Sequence, residues 1–217
     1  MNPGMKLLLV MLVALEISFT QSLIVNIILI AVSLLYILTQ HISMKALFGI
    51  IFWPLFPAVG LFVSQWLYGS AGIHFAWILF TRIYAYVFLG ATFTLTSSIT
   101  DLSLTLEQDF HLPSKFAYGV LAAFNLMPKI AEEVHIIKTS ALMRGEALHF
   151  WSPKLYFKSI LSSIQWSQNL AEAMTSHGFV EDYERTHYKV IRITALDWTL
   201  FIVLLAVVQV LLFFIRY

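Results

Sequence analysis

The chain has 217 residues, of which 59% are hydrophobic and only 12% charged, with a formal net charge of +1 and no cysteine. Soluble domains run at roughly 45–50% apolar and about 25% charged, whereas the mean hydropathy here is +0.82. These figures exclude a disordered chain, a highly charged nucleic-acid binder and most soluble enzymes, and the lack of cysteine excludes disulfides, a thiolate metal site and a cysteine nucleophile; an integral membrane protein is left.

Apolar stretches come first in the chain. A membrane-crossing helix needs about 20 apolar residues, with a range of roughly 17–25. Leu7–Phe19 and Leu23–Leu38 are short, and Ser18, Thr20, Gln21 and Ser22 mark the break between them. Lys6 ahead of an apolar run imitates a signal peptide. No small-residue cleavage site follows cleanly and Glu16 interrupts the run, so the segment reads as a retained helix. Ala46–Leu67 contains Pro54 and Pro57, which predict a kink whose freed backbone groups neighbouring helices must satisfy. Ile73–Leu95 carries one charge, Arg82, and Trp198–Ile215 is the fifth stretch. The expected fold is an all-α integral membrane protein with about five transmembrane helices: four in a membrane domain at 1–100 and a last one at 193–217.

Residues 101–192 differ sharply. Nine of the thirteen Lys and Arg lie there (Lys115, Lys129, Lys138, Arg144, Lys154, Lys158, Arg185, Lys189, Arg192), and so do ten of the twelve acids. This reads as a solvated or interfacial helical region inserted before the last span. The excess of basic residues on cytoplasmic segments places it in the cytoplasm. Counting back puts the loop at His41–Lys45 and the N-terminus on the same side. The outer turns, Thr20–Ser22 and Tyr68–Gly72, then contain no Lys or Arg, and Arg216 is the single charge against the rule.

Two long helices are predicted in this region. The first runs from about Ser114 to Arg144, with Pro113 just before it, Pro128 bending it, and Lys129 and Glu133 one turn apart. The second runs from about Lys154 to His177, with Ser152 as cap and Pro153 in the first turn. Their ends are alike. One reads Ala141-Leu142-Met143-Arg144-Gly145 and the other Ala173-Met174-Thr175-Ser176-His177-Gly178-Phe179. In each, an ionisable residue precedes a glycine that closes the helix in the left-handed conformation. Two readings stand side by side. These are ordinary helix C-caps, or each is a projecting knob that enters a groove on another protein and meets a carboxylate there.

The chain resembles the transmembrane (T) component of energy-coupling factor transporters, the group that includes cobalt- and biotin-type permeases. Asn2-Pro3-Gly4-Met5-Lys6-Leu7 resembles the family's opening. Thr96-Ser97-Ser98, Leu104 and Leu112-Pro113 resemble its Thr-rich turn and Leu-Pro. Pro128, Glu132 or Glu133, Ala141 and Arg144-Gly145 resemble the approach to a first Ala-Arg-Gly signature, and Ala171, Ala173 and Gly178-Phe179 a second. Arg185-Thr186 and Asp197-Trp198 resemble the approach to the last span.

The resemblance implies a non-enzymatic scaffold that couples two cytoplasmic ABC ATPases to a substrate-binding membrane (S) component, for import of a vitamin or metal micronutrient. It implies coupling ends at Ala141, Met143, Arg144 and Gly145 and at Ser176, His177 and Gly178. Met143 stands where the family has alanine, and Ser176-His177 where it has Ala-Arg. An imidazole is shorter than a guanidinium and only partly charged near pH 7. No cofactor and no nucleic-acid partner is expected, since no G-x-x-x-x-G-K-[ST] loop and no basic-aromatic interleaving occurs and ATP belongs to the partners. The lipid bilayer is the remaining partner.

Alternatives remain. Glu132-x-x-His135 and Glu146-x-x-His149 have the spacing of di-iron carboxylate ligands, which would make a membrane oxygenase or desaturase. They are fourteen residues apart with Gly145 between them, and they also read as polar faces of an interfacial helix. Another ABC permease subunit, lining its own substrate path, is the third class. Arg82 lies mid-span, where charge is costly and usually functional; its bracing reading is a bond to a helix C-terminal carbonyl, to Glu16 or to Asp101. The tryptophans, with Tyr68, Tyr84 and Tyr86, suit an aromatic belt.

Overall fold

The computed structural model describes residues 1–40, 42–70, 72–180, 183, 187 and 189–214. Among them the chain is helical throughout, with no strand: α1 (Pro3–Phe19), α2 (Leu23–Thr39), α3 (Met44–Phe52), α4 (Leu55–Tyr68), α5 (Gly72–Thr96), α6 (Ile99–Gln108), α7 (Ser114–Met143), α8 (Pro153–Ser176) and α9 (Ala195–Phe214). They divide into two compact units, Met1–Thr105 with Ile191–Tyr217, and Leu106–Val190.

In the first unit α5 is the hub. Helices α1, α2, α3 and α4 pack on it, and α9 packs on α1. Val13 and Ile17 of α1, Val25 and Leu29 of α2, Leu89 of α5 and Val208 of α9 share one buried cluster. The outward faces are apolar as well: Phe19, Phe56, Trp53 and Phe213 are exposed. A face of that kind suits hydrocarbon rather than water. By length and composition three helical segments can cross a bilayer, namely Met44–Tyr68 (α3 with α4), Gly72–Thr96 and Ala195–Phe214, while Leu23–Thr39 is apolar but shorter. Helices α1 and α2 have 17 residues each, at the lower edge of the spanning range of about 17–25.

The proline kink resolves into a break at one of its two prolines. Helix α3 stops at Phe52 and α4 starts at Leu55. Pro54 caps α4, and the Ala58 N–H donates to its carbonyl at 3.0 Å. Pro57 sits in the first turn of α4, where a missing N–H breaks no helical bond. The break frees carbonyls in the middle of an apolar segment. Tyr84 of α5 answers one of them, its hydroxyl donating to the Ile51 carbonyl at 3.1 Å. Asn26 fastens α2 to α5 in the same manner: its buried amide donates to the Ile78 carbonyl at 3.3 Å and to the Thr81 hydroxyl at 3.2 Å. Polar bonds of this kind hold helices together where no water competes.

Arg82 takes the bracing role. Its guanidinium donates to the carbonyl of Thr20, the C-cap residue of α1, so the cation meets the negative end of that helix. One helix, α6, was not expected from the sequence. The Leu102 N–H donates to the Ser98 carbonyl at 3.0 Å, and the Asp101 N–H points to the Ser98 hydroxyl. Asp101 lies in the first turn, where an acid favours a helix start. Helix α6 is only ten residues long and weakly apolar, and its leucines at 102, 104 and 106 alternate rather than recur at helical spacing.

The second unit is built on α7 and α8. Helix α7 runs on through Pro128 to Met143. Pro113 and Ser152 occupy the predicted caps and Pro153 the first turn of α8. The Ser152 hydroxyl makes no capping bond; its carbonyl accepts the Leu155 N–H at 3.0 Å instead. Lys129 and Glu133 both reach across to α8. The Lys129 ammonium stands 4.5 Å from the centre of the Trp166 ring, and Glu133 accepts from the Ser162 hydroxyl at 3.0 Å. With Tyr118 against Phe179, these pairs run in opposite sense along the two helices, so α7 and α8 are antiparallel.

Candidate functional site

The two helix ends have the same backbone construction. In α7 the last residue is Met143, the cap is Arg144 and Gly145 follows with φ of +79°. In α8 the last residue is Ser176, the cap is His177 and Gly178 follows with φ of +81°. The Gly145 N–H donates to the Leu142 carbonyl at 3.0 Å and the Glu146 N–H to the Ala141 carbonyl at 2.9 Å. The second end repeats both bonds, from Gly178 to Thr175 at 3.0 Å and from Phe179 to Met174 at 2.9 Å. This pair of nested bonds is the Schellman closure, which satisfies carbonyls that a helix end otherwise leaves open. Arg144 and His177 therefore occupy one structural position, Gly145 and Gly178 the next, and Met143 and Ser176 the one before.

What each end presents differs. At the first, Ala141 is buried while Met143 (78% exposed) and Arg144 stand free of the unit's surface. At the second, the Ser176 hydroxyl donates to the Glu172 carbonyl at 2.7 Å and the Thr175 hydroxyl to the same carbonyl at 2.8 Å. Both are turned onto their own helix, and His177 is exposed. A Cβ added at either glycine meets no atom within 4 Å; only the positive φ selects glycine.

The backing differs too, and the sequence did not reveal it. Behind the first end Glu146 pairs with Lys154 of α8 at 3.2 Å, both side chains largely in solvent. Behind the second, Phe179 packs edge-on against Tyr118 of α7, ring centres 5.9 Å apart. Beside it a groove of about 660 Å³ is lined by residues including Leu121, Asn125, Lys129, Leu170, Met174 and His177. The residue two places after the cap decides this: glutamate in one case, phenylalanine in the other.

Because α7 and α8 are antiparallel, their C-termini lie at opposite ends of the pair. His177 stands beside Leu121 and Asn125. The remaining twenty or so residues of α7, at about 1.5 Å each, put Arg144 on the order of 30 Å away.

The Glu-x-x-His residues are not brought together. Glu132 and His135 lie on α7, whereas Glu146 and His149 fall in the loop after it, with Glu146 committed to Lys154. Among the described residues no three His, Asp or Glu side chains converge in a metal-binding arrangement. Arg185 and Thr186, part of the resemblance, lie outside the described residues.

Residues 1–188 match the family model of the cobalt transport protein, CbiQ. No curated protein matches the chain.

Proposed function

The chain belongs to the cobalt transport protein family CbiQ, a family of membrane transport permeases, and from that premise we propose that it is the energy-coupling scaffold of an ATP-driven importer. In this reading it joins two cytoplasmic ABC ATPases to a substrate-binding membrane protein that selects a vitamin or metal micronutrient. It performs no covalent chemistry and holds no cofactor of its own. Residues 101–192 and the N-terminus face the cytoplasm, where the ATPases are.

The observation that carries this reading is the pair of identically closed helix ends, set on the order of 30 Å apart along antiparallel helices of about 1.5 Å rise per residue. One gripping point is enough for a tether. Two equivalent points far apart suit a partner that itself comes as a pair. Each offers a basic or ionisable head in the last turn, with a glycine beside it that leaves room for a groove wall. When the ATPases close on nucleotide and reopen, the two ends are displaced, and α7 and α8 transmit that displacement as levers. The free energy comes from nucleotide binding in the partners.

Because the chain has no cysteine, a single cysteine at position 144 or 177 is a unique attachment point for a photo-crosslinker. We expect both positions to crosslink to ATPase subunits in membranes holding the whole transporter, and nucleotide to change the yield. Labelling from the opposite face of the membrane, or crosslinks at both positions only within the chain itself, overturns the reading.

A further inference from the structure

The polar residues near the N-terminus and before α9 meet within the first unit. Asp197 is 7% exposed, in the first turn of α9. Its Oδ2 accepts from the Thr194 N–H at 3.0 Å and hydroxyl at 2.9 Å, and its own N–H points back to the Thr194 hydroxyl at 3.4 Å. That is a reciprocal capping box. Its Oδ1 accepts the backbone N–H of Asn2 at 3.0 Å, from 195 residues away. Asn2, 6% exposed, caps α1 in turn, its Oδ1 accepting the Gly4 N–H at 2.9 Å. One turn along α1, Lys6 Nζ donates to the hydroxyl of Thr96 at 2.9 Å. Thr96 ends α5 and donates its own hydrogen to the Thr92 carbonyl. The Lys6 ammonium also lies 5.7 Å from the Tyr36 ring on α2.

Capping explains part of this set only. Thr194 with Asp197 closes the start of α9, and the Asn2 side chain closes the start of α1. The bond from Asn2 to Asp197 also satisfies the N-cap N–H of α1, but from another helix, and the bond from Lys6 to Thr96 caps nothing; the two tie α1 to the start of α9 and to the end of α5. Helix α5 is the last long helix before the chain leaves this unit, and α9 is the first after it comes back. After Thr96 it passes through α6 into the second unit at Leu106, and after Ile191 it re-enters α9. An Asp needed only as a cap works in solvent, whereas a buried one is costly unless its partners are fixed.

We propose that Asn2, Lys6, Thr96 and Asp197 are positioning residues that clamp both chain crossings onto α1, so that displacement of the second unit moves α1, α5 and α9 as one body. Without the clamp, each crossing yields separately and the motion dissipates in the connections. The proposal rests on the reading of the second unit as the part the ATPases move.

The test uses the whole transporter, purified with its ATPases, and this cysteine-free chain carries spin labels in pairs. Cysteines replacing the exposed Met11 (α1) and Val203 (α9) report on the return to α9, and Met11 with Leu95 (α5) on the exit after α5. In the unsubstituted background we expect both distances to be narrow and unchanged by ATP. Lys6→Met and Thr96→Val should let ATP shift the Met11–Leu95 pair, and Asp197→Asn the Met11–Val203 pair. The shifted share should rise by about tenfold, as expected for losing one hydrogen bond to a charged group. Lys6→Arg and Thr96→Ser should restore the narrow distance. ATPase association and hydrolysis should be retained in every variant.

Distances that stay narrow with ATP in Lys6→Met and Asp197→Asn overturn the proposal. Distances broadened equally with and without ATP also overturn it, because they mark a purely structural role. Should Asp197→Asn fail to fold, the Lys6 and Thr96 variants decide. If the unsubstituted chain recruits no ATPase, the functional reading fails first, and the clamp falls with it by a separate observation.

Discussion

The end of α7 and the end of α8 share a backbone and little else. Both place a glycine at positive φ and close with two nested bonds of matching length. One then carries a guanidinium backed by a solvated ion pair; the other carries an imidazole backed by an aromatic pair and flanked by a groove. The shape of a projecting end is thus set by glycine and by main-chain bonding. The residues that depart from the family pattern, Met143, Ser176 and His177, alter only what that shape carries. A fixed frame with exchangeable heads lets the two ends present different chemistry without refolding either one.

The largest effect expected is from Arg144→Glu. Reversing the charge that we propose meets a carboxylate should weaken ATPase association about 100-fold, read by co-purification in mild detergent, with membrane insertion unchanged. Undiminished co-purification breaks the comparison at its strongest point. Gly145→Ala and Gly178→Ala should come next and should match each other. A side chain at that φ costs about 1–2 kcal/mol, so each should weaken association roughly tenfold; unequal losses would show that the two frames are not equivalent under load.

Phe179→Ala should lower the second end's contribution by about 1 kcal/mol, the worth of an aromatic pair, and leave crosslinking from position 144 untouched. His177→Ala should cost only a few-fold, since an imidazole contributes one modest hydrogen bond of about 1 kcal/mol. His177→Arg should raise association above that of the natural chain, read by the same co-purification. Smallest of all, Glu146→Ala removes a solvent-exposed pair and should change thermal stability by less than about 0.5 kcal/mol. A larger loss there would mean the first end is also held from behind.

Membrane class, the long helices and both glycine closures were legible because each has a local cause. Apolar runs mark spans, Pro113 and Pro153 mark helix starts, and glycine after an ionisable residue marks an end. Helix α6 was not legible, because it is only ten residues long and its leucines alternate at 102, 104 and 106 instead of following the 3.6-residue period. Lys129 and Glu133 looked like a pair on one helix, yet each found a partner on α8, which spacing along a single helix cannot show. Asn26 was hidden inside an apolar run. In sequence Tyr84 suits an interfacial belt, whereas in the fold its hydroxyl donates to the Ile51 carbonyl at the proline break. Links such as Asn2 to Asp197 join residues 195 apart and become visible only once the helices are laid side by side.

The break between Phe52 and Leu55 has a consequence for how the protein sits in different bilayers. A continuous rod of 25 residues meets a thinner membrane only by leaning as a whole, and its leaning would drag on α5. Two half-rods joined at Trp53 and Pro54 can each take their own tilt, with the Tyr84 hydroxyl as pivot. The mismatch between helix length and lipid thickness, a fraction of a kcal/mol per Å, is then absorbed locally, and the rest of the bundle keeps its pitch.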